Sequence, residues 1–201
     1  MLSPIIAILR GLDPAAAHAV GEALVSAGVQ SAEVPLNRPG ALESLAILRQ
    51  AVNGRLRLGA GTVLTVDQVR EAEAAGAAFI VSPNANPAVI GETRSRGLAS
   101  VPGVFTATEA FSALDAGANA LKLFPADALG PGGLRALATV LPDRTPIYAV
   151  GGVDVGSVAG WRDAGAAGLG IGSHIYREGR AAKDVETSAR AFVQAWEAAA
   201  R

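Results

Sequence analysis

Short apolar runs alternate with amphipathic stretches along the whole chain. Several of the amphipathic stretches end in an Ala-Gly pair, at 27–28, 75–76, 116–117 and 164–165. Glycine after a helix adopts the left-handed conformation at little cost, so these pairs mark helix ends. The next apolar run begins a few residues after each pair. This pattern predicts a repeated strand–helix unit rather than separate blocks of strands and helices.

The apolar runs predict eight strands, with helices in the gaps between them. The strands cover 5–10, 32–36, 56–62, 79–83, 99–103, 120–124, 147–150 and 167–171. Eight alternating units in 201 residues predict an α/β chain that forms a single-domain (β/α)8 TIM barrel over residues 1–201. An open doubly wound sheet is the alternative. The even spacing and the count of eight favour the barrel.

Capping residues mark the starts of several predicted helices. Asp13 followed by Pro14 is typical of an N-cap with proline at the first helical position. Thr65 and Thr106 each stand three residues before a Gln or Glu, the pattern of a capping box. The last helix is predicted at about 185–200, with an apolar face that includes Trp196.

The composition of the chain excludes several classes of function. The formal net charge is −1 and aromatic residues make up 4%, so the sequence favours neither nucleic acid nor an anionic membrane as a partner. There is no cysteine, which excludes disulfides, thiolate catalysis and cysteine-bound metal. The apolar N-terminus lacks a preceding basic region and is too short to span a membrane. We therefore expect a soluble cytoplasmic protein.

Lys122 is the residue that bears most directly on chemistry. It lies in the predicted strand 120–124, which is otherwise apolar and is therefore expected to be buried. Burial disfavours the ammonium form, so the pKa falls and a neutral amine becomes available near neutral pH. Such an amine can form a Schiff base with a carbonyl substrate. The alternative is a lysine that reaches water from the strand end or pairs with a carboxylate.

Side-chain alternation along the strands places three ionisable residues on the inside of the barrel. Lys122 points inward because Leu121 and Leu123 suit the helix-covered outside. By the same argument Glu33 points inward, and Arg10 lies at the rim. An interior ion pair is the structural alternative, but buried pairs seldom improve stability over apolar packing. Three such groups in one interior indicate a functional site.

Glycine-rich turns follow the seventh and eighth predicted strands. They contain Gly151 and Gly152, and Gly172 with Ser173. In (β/α)8 barrels this region often binds phosphate through backbone N–H groups, which glycine allows to approach an anion closely. Tight turns in a small barrel are the alternative. Combined with Lys122 and Glu33, the glycines indicate a phosphorylated sugar acid with a ketone that the lysine attacks.

Six short segments occur in the order found in one enzyme family. They are AILRG at 7–11, EVPLN at 33–37, GAGTV at 59–63, SPN at 82–84, LKLFP at 121–125 and VGGV at 150–153. Together they resemble the class I aldolases that cleave 2-keto-3-deoxy-6-phospho-sugar acids, the KDPG/KHG family. The resemblance covers almost the whole chain, from Ile5 to about Trp196.

The resemblance implies a role for each site residue. Lys122 would form the Schiff base and Glu33 would move protons, while Arg10 and Thr62 would hold the substrate carboxylate. The pocket would be lined by Asn37, Pro83, Phe124 and Val150. The phosphate would be bound by Gly151, Gly152, Gly172 and Ser173. The products would be pyruvate and glyceraldehyde 3-phosphate, no cofactor or metal would be needed, and the chain would form a homotrimer.

The two histidines fit a reaction without a metal. His18 is expected on a helix surface, and His174 follows the phosphate turn, where it could touch substrate. Nothing in the sequence resembles a metal triad.

Two substrate types occur within this family, and this chain departs from the phosphogluconate type at two places. The phosphogluconate type has an arginine-threonine pair after the glutamate strand and a threonine before the Gly-Gly pair, whereas this chain has Asn37-Arg38 and Val150. These residues, and Arg10, resemble the phosphogalactonate type, so cleavage of 2-dehydro-3-deoxy-6-phosphogalactonate is expected. Three alternatives remain: the phosphogluconate activity, another phosphate-binding barrel such as an epimerase or a thiamin-phosphate-synthase-like protein, and a barrel that only binds a phosphorylated metabolite.

Overall fold

Nine parallel strands and eight α-helices alternate through residues 2–199, the part of the chain that the computed structural model describes. The strands are β1 Ile5–Ile8, β2 Ser31–Pro35, β3 Arg57–Gly61, β4 Phe79–Val81, β5 Ala99–Val101, β6 Gly103–Val104, β7 Leu121–Leu123, β8 Ile147–Val150 and β9 Gly168–Ile171. The helices are α1 Pro14–Ser26, α2 Ala41–Val52, α3 Val66–Ala74, α4 Pro87–Ser95, α5 Ala107–Asp115, α6 Ala126–Ala138, α7 Val158–Asp163 and α8 Ala182–Ala198, and a 3-10 turn at Val155–Ser157 precedes α7.

The strands form one sheet in the order β5-β4-β3-β2-β1-β9-β8-β7-β6. β5 and β6 stand at opposite ends of this order but are consecutive in the chain, separated by Pro102 alone. The segment that they form therefore pairs with β4 on one side and with β7 on the other, which closes the sheet into a barrel. The predicted (β/α)8 barrel is confirmed, and an open doubly wound sheet is not what the chain forms.

The prediction of one continuous fifth strand, 99–103, is wrong, because Pro102 divides this segment into β5 and β6. Proline has no N–H to donate to a neighbouring strand, so the hydrogen-bond ladder is interrupted there. Its carbonyl still accepts a hydrogen bond from the Lys122 N–H at 2.8 Å. The break thus lies directly beside the strand that contains the candidate nucleophile.

Most other strands are shorter than predicted by one or two residues at an end. The first strand ends at Ile8 rather than at Arg10, which lies in the turn that follows. The third ends at Gly61 and the fourth at Val81, so Thr62 and Pro83 are loop residues. Loop residues that follow parallel strands lie at the mouth of a barrel, where functional groups are expected.

The three helix starts predicted from capping residues are confirmed. The Asp13 side chain accepts a hydrogen bond from the Ala15 N–H, and Pro14 is the first residue of α1. Thr65 and Thr106 both form complete capping boxes. The last helix begins at Ala182, before the predicted 185, and is described to Ala198; the predicted end at residue 200 lies outside the described residues.

The core has two parts. The larger part fills the layer between the strands and the surrounding helices. The smaller part lies among side chains that point into the barrel and includes Ile6, Phe79, Val101 and Tyr148. The Tyr148 hydroxyl donates to the carbonyl of Leu2 at 2.9 Å, which satisfies its polar group near the N-terminal end of the barrel. Apolar packing therefore fills that end of the interior, and the ionisable groups lie above it.

Within residues 2–199, none of the helices has the combination of length and apolar character needed to cross a lipid bilayer.

Candidate active site

Lys122 is the central residue of β7 and is only 7% exposed. Burial lowers the pKa of its amine; the neighbouring Glu33 carboxylate opposes this effect, and the positive charge of Arg10 adds to it. The predicted inward orientation agrees with the packing, because Leu121 and Leu123 are fully buried in the layer beneath the helices. The chain thus places an amine with a lowered pKa inside the barrel.

Glu33 is the central residue of β2 and is 2% exposed. Burial raises the pKa of its carboxyl to about 7, against the opposing charges of Lys122 and Arg10. Its Oε2 atom is buried and has no hydrogen-bond partner. No direct ion pair joins Glu33 to Lys122 in the described part of the chain. The interior ion pair considered as the structural alternative is therefore not formed, and the carboxyl is available to another partner.

Both groups line a narrow space of about 10 Å³ inside the barrel, together with Tyr148. A second, much larger cavity of about 450 Å³ lies at the mouth of the barrel. Ile8, Val150 and Gly170 line both spaces. The amine and the carboxyl therefore lie directly beneath the floor of the larger cavity.

The larger cavity brings together seven of the predicted site residues. They are Arg10, Phe124, Val150, Gly151, Gly152, Gly172 and Ser173. Three further basic side chains, those of Arg38, His174 and Arg177, also line it, and Glu178 supplies a carboxylate. A cavity with this lining suits a substrate that has more than one negative charge.

Asn37, Thr62 and Pro83 do not line this cavity. They follow β2, β3 and β4, whereas the cavity lies over the ends of β7, β8, β9 and β1. Thr62 has φ of +54°, a left-handed conformation that is uncommon for a residue other than glycine. Because strained backbone of this kind often occurs at functional sites, the conformation agrees with a role at the mouth of the barrel.

The turn after β8 requires both of its glycines. Gly151 and Gly152 have φ of +104° and +66°. A Cβ atom on Gly152 would also lie 2.7 Å from Cγ of Asp127, at the start of α6. The turn therefore packs directly on the helix that follows Lys122, which links the predicted phosphate turn to the strand that contains Lys122.

Sequence reasoning missed Tyr176, Arg177 and Glu178, which also line the cavity. They belong to the segment after β9, where Arg177 Nε donates to the carbonyl of Ser173 at 3.0 Å. The rule that loops after barrel strands supply the site could have identified this segment. Its sequence signal is the Gly172-Ser173 pair, and no motif singles out the three side chains that follow.

Phe124 partly covers the amine. The Lys122 Nζ atom lies 4.7 Å from the centroid of the Phe124 ring, within the range of a cation–π contact. Among residues 2–199, no group of three histidine, aspartate or glutamate side chains is arranged to hold a metal ion. Lys122 and Glu33 are thus a buried amine and a buried carboxyl beneath a mouth that basic side chains and glycines line.

Comparison with known proteins identifies the family of the chain. The family model for the KDPG and KHG aldolases matches residues 1–189. The chain belongs to the KDPG and KHG aldolase family. It is accordingly an aldolase, as its resemblance in six ordered segments predicts.

Three relatives are informative. The chain is 44% identical over 193 residues to the 2-dehydro-3-deoxy-6-phosphogalactonate aldolase of Escherichia coli, an alignment that covers 96% of this chain and 94% of that enzyme. A solved native KDPGal structure superimposes with a TM-score of 0.96 and 44% identity, covering 98% and 96% of the two chains. The KDPG aldolase of Legionella pneumophila, solved with pyruvate captured as a covalent carbinolamine, is 28% identical with a TM-score of 0.85 and 94% coverage of both chains.

Proposed function

We propose that this aldolase cleaves 2-dehydro-3-deoxy-6-phosphogalactonate to pyruvate and D-glyceraldehyde 3-phosphate through a Schiff base on Lys122. The observation that supports this most directly is a buried lysine with a lowered pKa beside a carboxyl whose pKa is raised to about 7. A neutral amine and a carboxylate that accepts protons near neutral pH are the two groups that Schiff-base aldol chemistry requires.

The reaction begins when the neutral amine of Lys122 attacks the C2 ketone and forms a carbinolamine. Loss of water gives an iminium, with Glu33 supplying the proton directly or through a water molecule. Glu33 then takes the proton of the C4 hydroxyl, the C3–C4 bond breaks, and its electron pair moves into the iminium to give an enamine. Glyceraldehyde 3-phosphate leaves, the enamine is protonated at C3, and hydrolysis releases pyruvate and the free lysine.

The surrounding residues hold the two charged ends of the substrate. Arg10 lines the cavity and is close enough to act on the charges of both Lys122 and Glu33, so it suits the C1 carboxylate next to the reacting ketone. Thr62 adds a hydroxyl donor at the end of β3, which pairs with β2, the strand of Glu33. Phe124 lines the cavity as an apolar wall, which strengthens the electrostatic interactions of the site by excluding water.

The phosphate binds at the turns after β8 and β9. Gly151 and Gly152 offer backbone N–H groups in a turn that has no side chain in the way of an anion, and Gly172 and Ser173 offer theirs just after β9. The four residues line the same cavity as Arg10. One open space can therefore take both the carboxylate end and the phosphate end of a six-carbon acid.

The proposed preference for the galactonate configuration rests on Val150. Val150 lines both the narrow space beside Lys122 and the larger cavity, where an apolar group offers no hydrogen bond to the C4 hydroxyl. The E. coli relative named above acts on the phosphogalactonate, and its identity to this chain extends over almost the full length. The phosphogluconate substrate is the alternative that the experiment below distinguishes.

We also propose that the enzyme works in the cytoplasm as a homotrimer. The absence of cysteine is compatible with a reducing compartment. Leu64, Phe105 and Phe111 are 38–45% exposed, and they follow strands on one side of the barrel. A second copy of the chain would remove these apolar groups from water. Light scattering after gel filtration should give about three times the 20.2 kDa of one chain, and a single-chain mass would contradict the trimer.

The decisive experiment is borohydride reduction in the presence of pyruvate, followed by peptide mass spectrometry. The chain has only two lysines, Lys122 and the exposed Lys183, so Lys183→Arg is a matched control that should leave trapping unchanged. A reduced pyruvyl adduct is expected on Lys122. No adduct there, in folded protein with saturating pyruvate, would contradict the Schiff-base mechanism. Comparison of kcat/KM for the two epimeric substrates then tests the galactonate preference.

A further inference from the structure

The Glu33 carboxyl group occupies the place of the side chain that Gly61 lacks. Gly61 is the last residue of β3, and β3 pairs in parallel with β2. A Cβ atom built on Gly61 would lie 2.6 Å from Oε1 of Glu33 and still closer to Cδ and Oε2. These distances are far below any van der Waals contact. Alanine at position 61 and the observed position of the carboxyl group are therefore mutually exclusive.

The close approach involves the atom of Glu33 that has no other partner. Oε2 is buried, forms no hydrogen bond, and is the carboxyl atom nearest to the position of a Gly61 Cβ. An unsatisfied carboxylate oxygen in an apolar interior is costly unless a function retains it. The space beside Gly61 allows the carboxyl to lie back against β3, separate from the amine of Lys122.

We propose that Gly61 is a positioning residue, whose lack of a side chain holds the Glu33 carboxyl group apart from Lys122 in the arrangement that the reaction needs. The catalytic part of this inference rests on the proposed Schiff-base function. A methyl group at position 61 would push the carboxyl towards the interior of the barrel, where Lys122 lies. A direct ion pair there would hold the lysine as ammonium, which cannot attack a ketone.

The same strand offers a matched control. Gly59 lies two residues before Gly61 and therefore faces the same side of the sheet. A Cβ on Gly59 would also meet a buried side chain, because the Phe79 ring would be 2.5 Å away. The three atoms nearest to this Cβ all belong to the Phe79 ring, so Gly59→Ala crowds the barrel interior by one methyl group that presses first on Phe79. A purely structural effect of overpacking should appear in both variants.

The test compares Gly61→Ala with Gly59→Ala in the rate of pyruvate trapping as a function of pH. Gly61→Ala should slow trapping at pH 7 by at least about tenfold and move the pH profile to higher pH, since each unit of lysine pKa is a factor of ten in free amine. Gly59→Ala should keep the wild-type pH profile even if its stability falls. A wild-type profile in Gly61→Ala, or equal profile shifts in both variants, would overturn the proposal.

A double-mutant cycle on thermal unfolding tests the coupling without relying on activity. Glu33→Ala empties the space that a methyl at position 61 would enter, so Gly61→Ala should lower Tm clearly in the wild-type background and by much less in the Glu33→Ala background. If Gly61→Ala alone does not fold, the double variant should recover folding. Equal losses in both backgrounds, or failure of both variants to fold, would contradict the proposal. If wild-type protein traps no pyruvate, the proposed function fails while this cycle still decides the coupling.

Discussion

The Nζ atom of Lys122 lies 4.7 Å from the ring centroid of Phe124, two residues farther along the chain. The ring is 38% exposed, whereas the lysine is 7% exposed, so the ring separates the amine from open solvent. It has two opposing effects on the amine. Its π face favours the ammonium, and its bulk favours the neutral form by excluding water. Burial is the largest influence on the pKa of Lys122, so the exclusion of water is expected to dominate.

Removal of the Phe124 ring should therefore hydrate Lys122 and raise its pKa. We expect Phe124→Ala to slow pyruvate trapping at pH 7 by about tenfold, with the loss recovered at higher pH, because one unit of pKa is a tenfold change in free amine. Phe124→Leu is the matched control: it removes the π face but retains an apolar cover, and its profile should shift less. An unchanged profile in Phe124→Ala would show that the ring does not protect the amine.

Glu33 should determine the acidic limb of the pH profile of kcat. Its pKa is raised to about 7, so the carboxylate that accepts the C4 hydroxyl proton forms as pH rises through that value. The kcat of the wild-type enzyme should rise over the same range. Glu33→Gln should lower kcat by about 10²- to 10⁴-fold, the usual contribution of a general base, and should remove that limb. An acidic limb retained in Glu33→Gln would assign it to another group.

The same carboxyl should make stability depend on pH. Because its pKa is raised in the fold from an ordinary 4.5 to about 7, the folded chain binds this proton more tightly than the unfolded chain. The stability that this provides is complete below pH 4.5 and is lost as pH rises to about 7. Glu33→Gln should thus raise Tm relative to wild type at pH 8 and much less at pH 5. An equal difference in Tm at both pH values would contradict this linkage.

The sequence allowed much of the fold and part of this site to be predicted, and the reasons are physical. Strand alternation has a period of two, so the inward orientation of Lys122 and Glu33 follows from their apolar neighbours alone. The division of the fifth strand could have been predicted as well, because Pro102 stands inside it and cannot donate a hydrogen bond.

The relationship between Gly61 and Glu33 could not have been predicted in the same way. Their contact depends on the register of β2 against β3 and on the rotamer of Glu33, neither of which has a local sequence signal. Part of the cavity lining could not have been predicted from local sequence either. Arg177 and Glu178 reach the mouth because of the path of the turn after β9, in which Tyr176 N–H and Ile175 N–H both bond to the carbonyl of Gly172 at 2.9 Å.

Val150 should be the residue that selects between the two epimeric substrates. It is 8% exposed and lines the space next to Lys122. Val150→Thr keeps the shape of the side chain and adds a hydroxyl, which can bond the C4 hydroxyl of the gluconate epimer. A net hydrogen bond contributes about 1 kcal/mol, so the ratio of kcat/KM values should move about fivefold towards that epimer. Val153→Thr makes the same change elsewhere in the cavity lining and should leave the ratio unchanged. An equal effect of the two variants would contradict the role of Val150.

Arg38 should affect substrate binding more than chemistry. It is exposed at the rim, lines the 450 Å³ cavity, and also lines a neighbouring cavity of about 210 Å³ beside the start of α2. A solvated cation at this position attracts a phosphorylated acid from solution without touching the reacting atoms. Arg38→Gln should raise KM about two- to fivefold with little change in kcat, since exposed charge pairs contribute about 1 kcal/mol or less. The effect should shrink at high salt, and Arg38→Lys should retain most of the affinity. A fall in kcat of the same size as the rise in KM, independent of salt, would instead place Arg38 among the groups that act on the transition state.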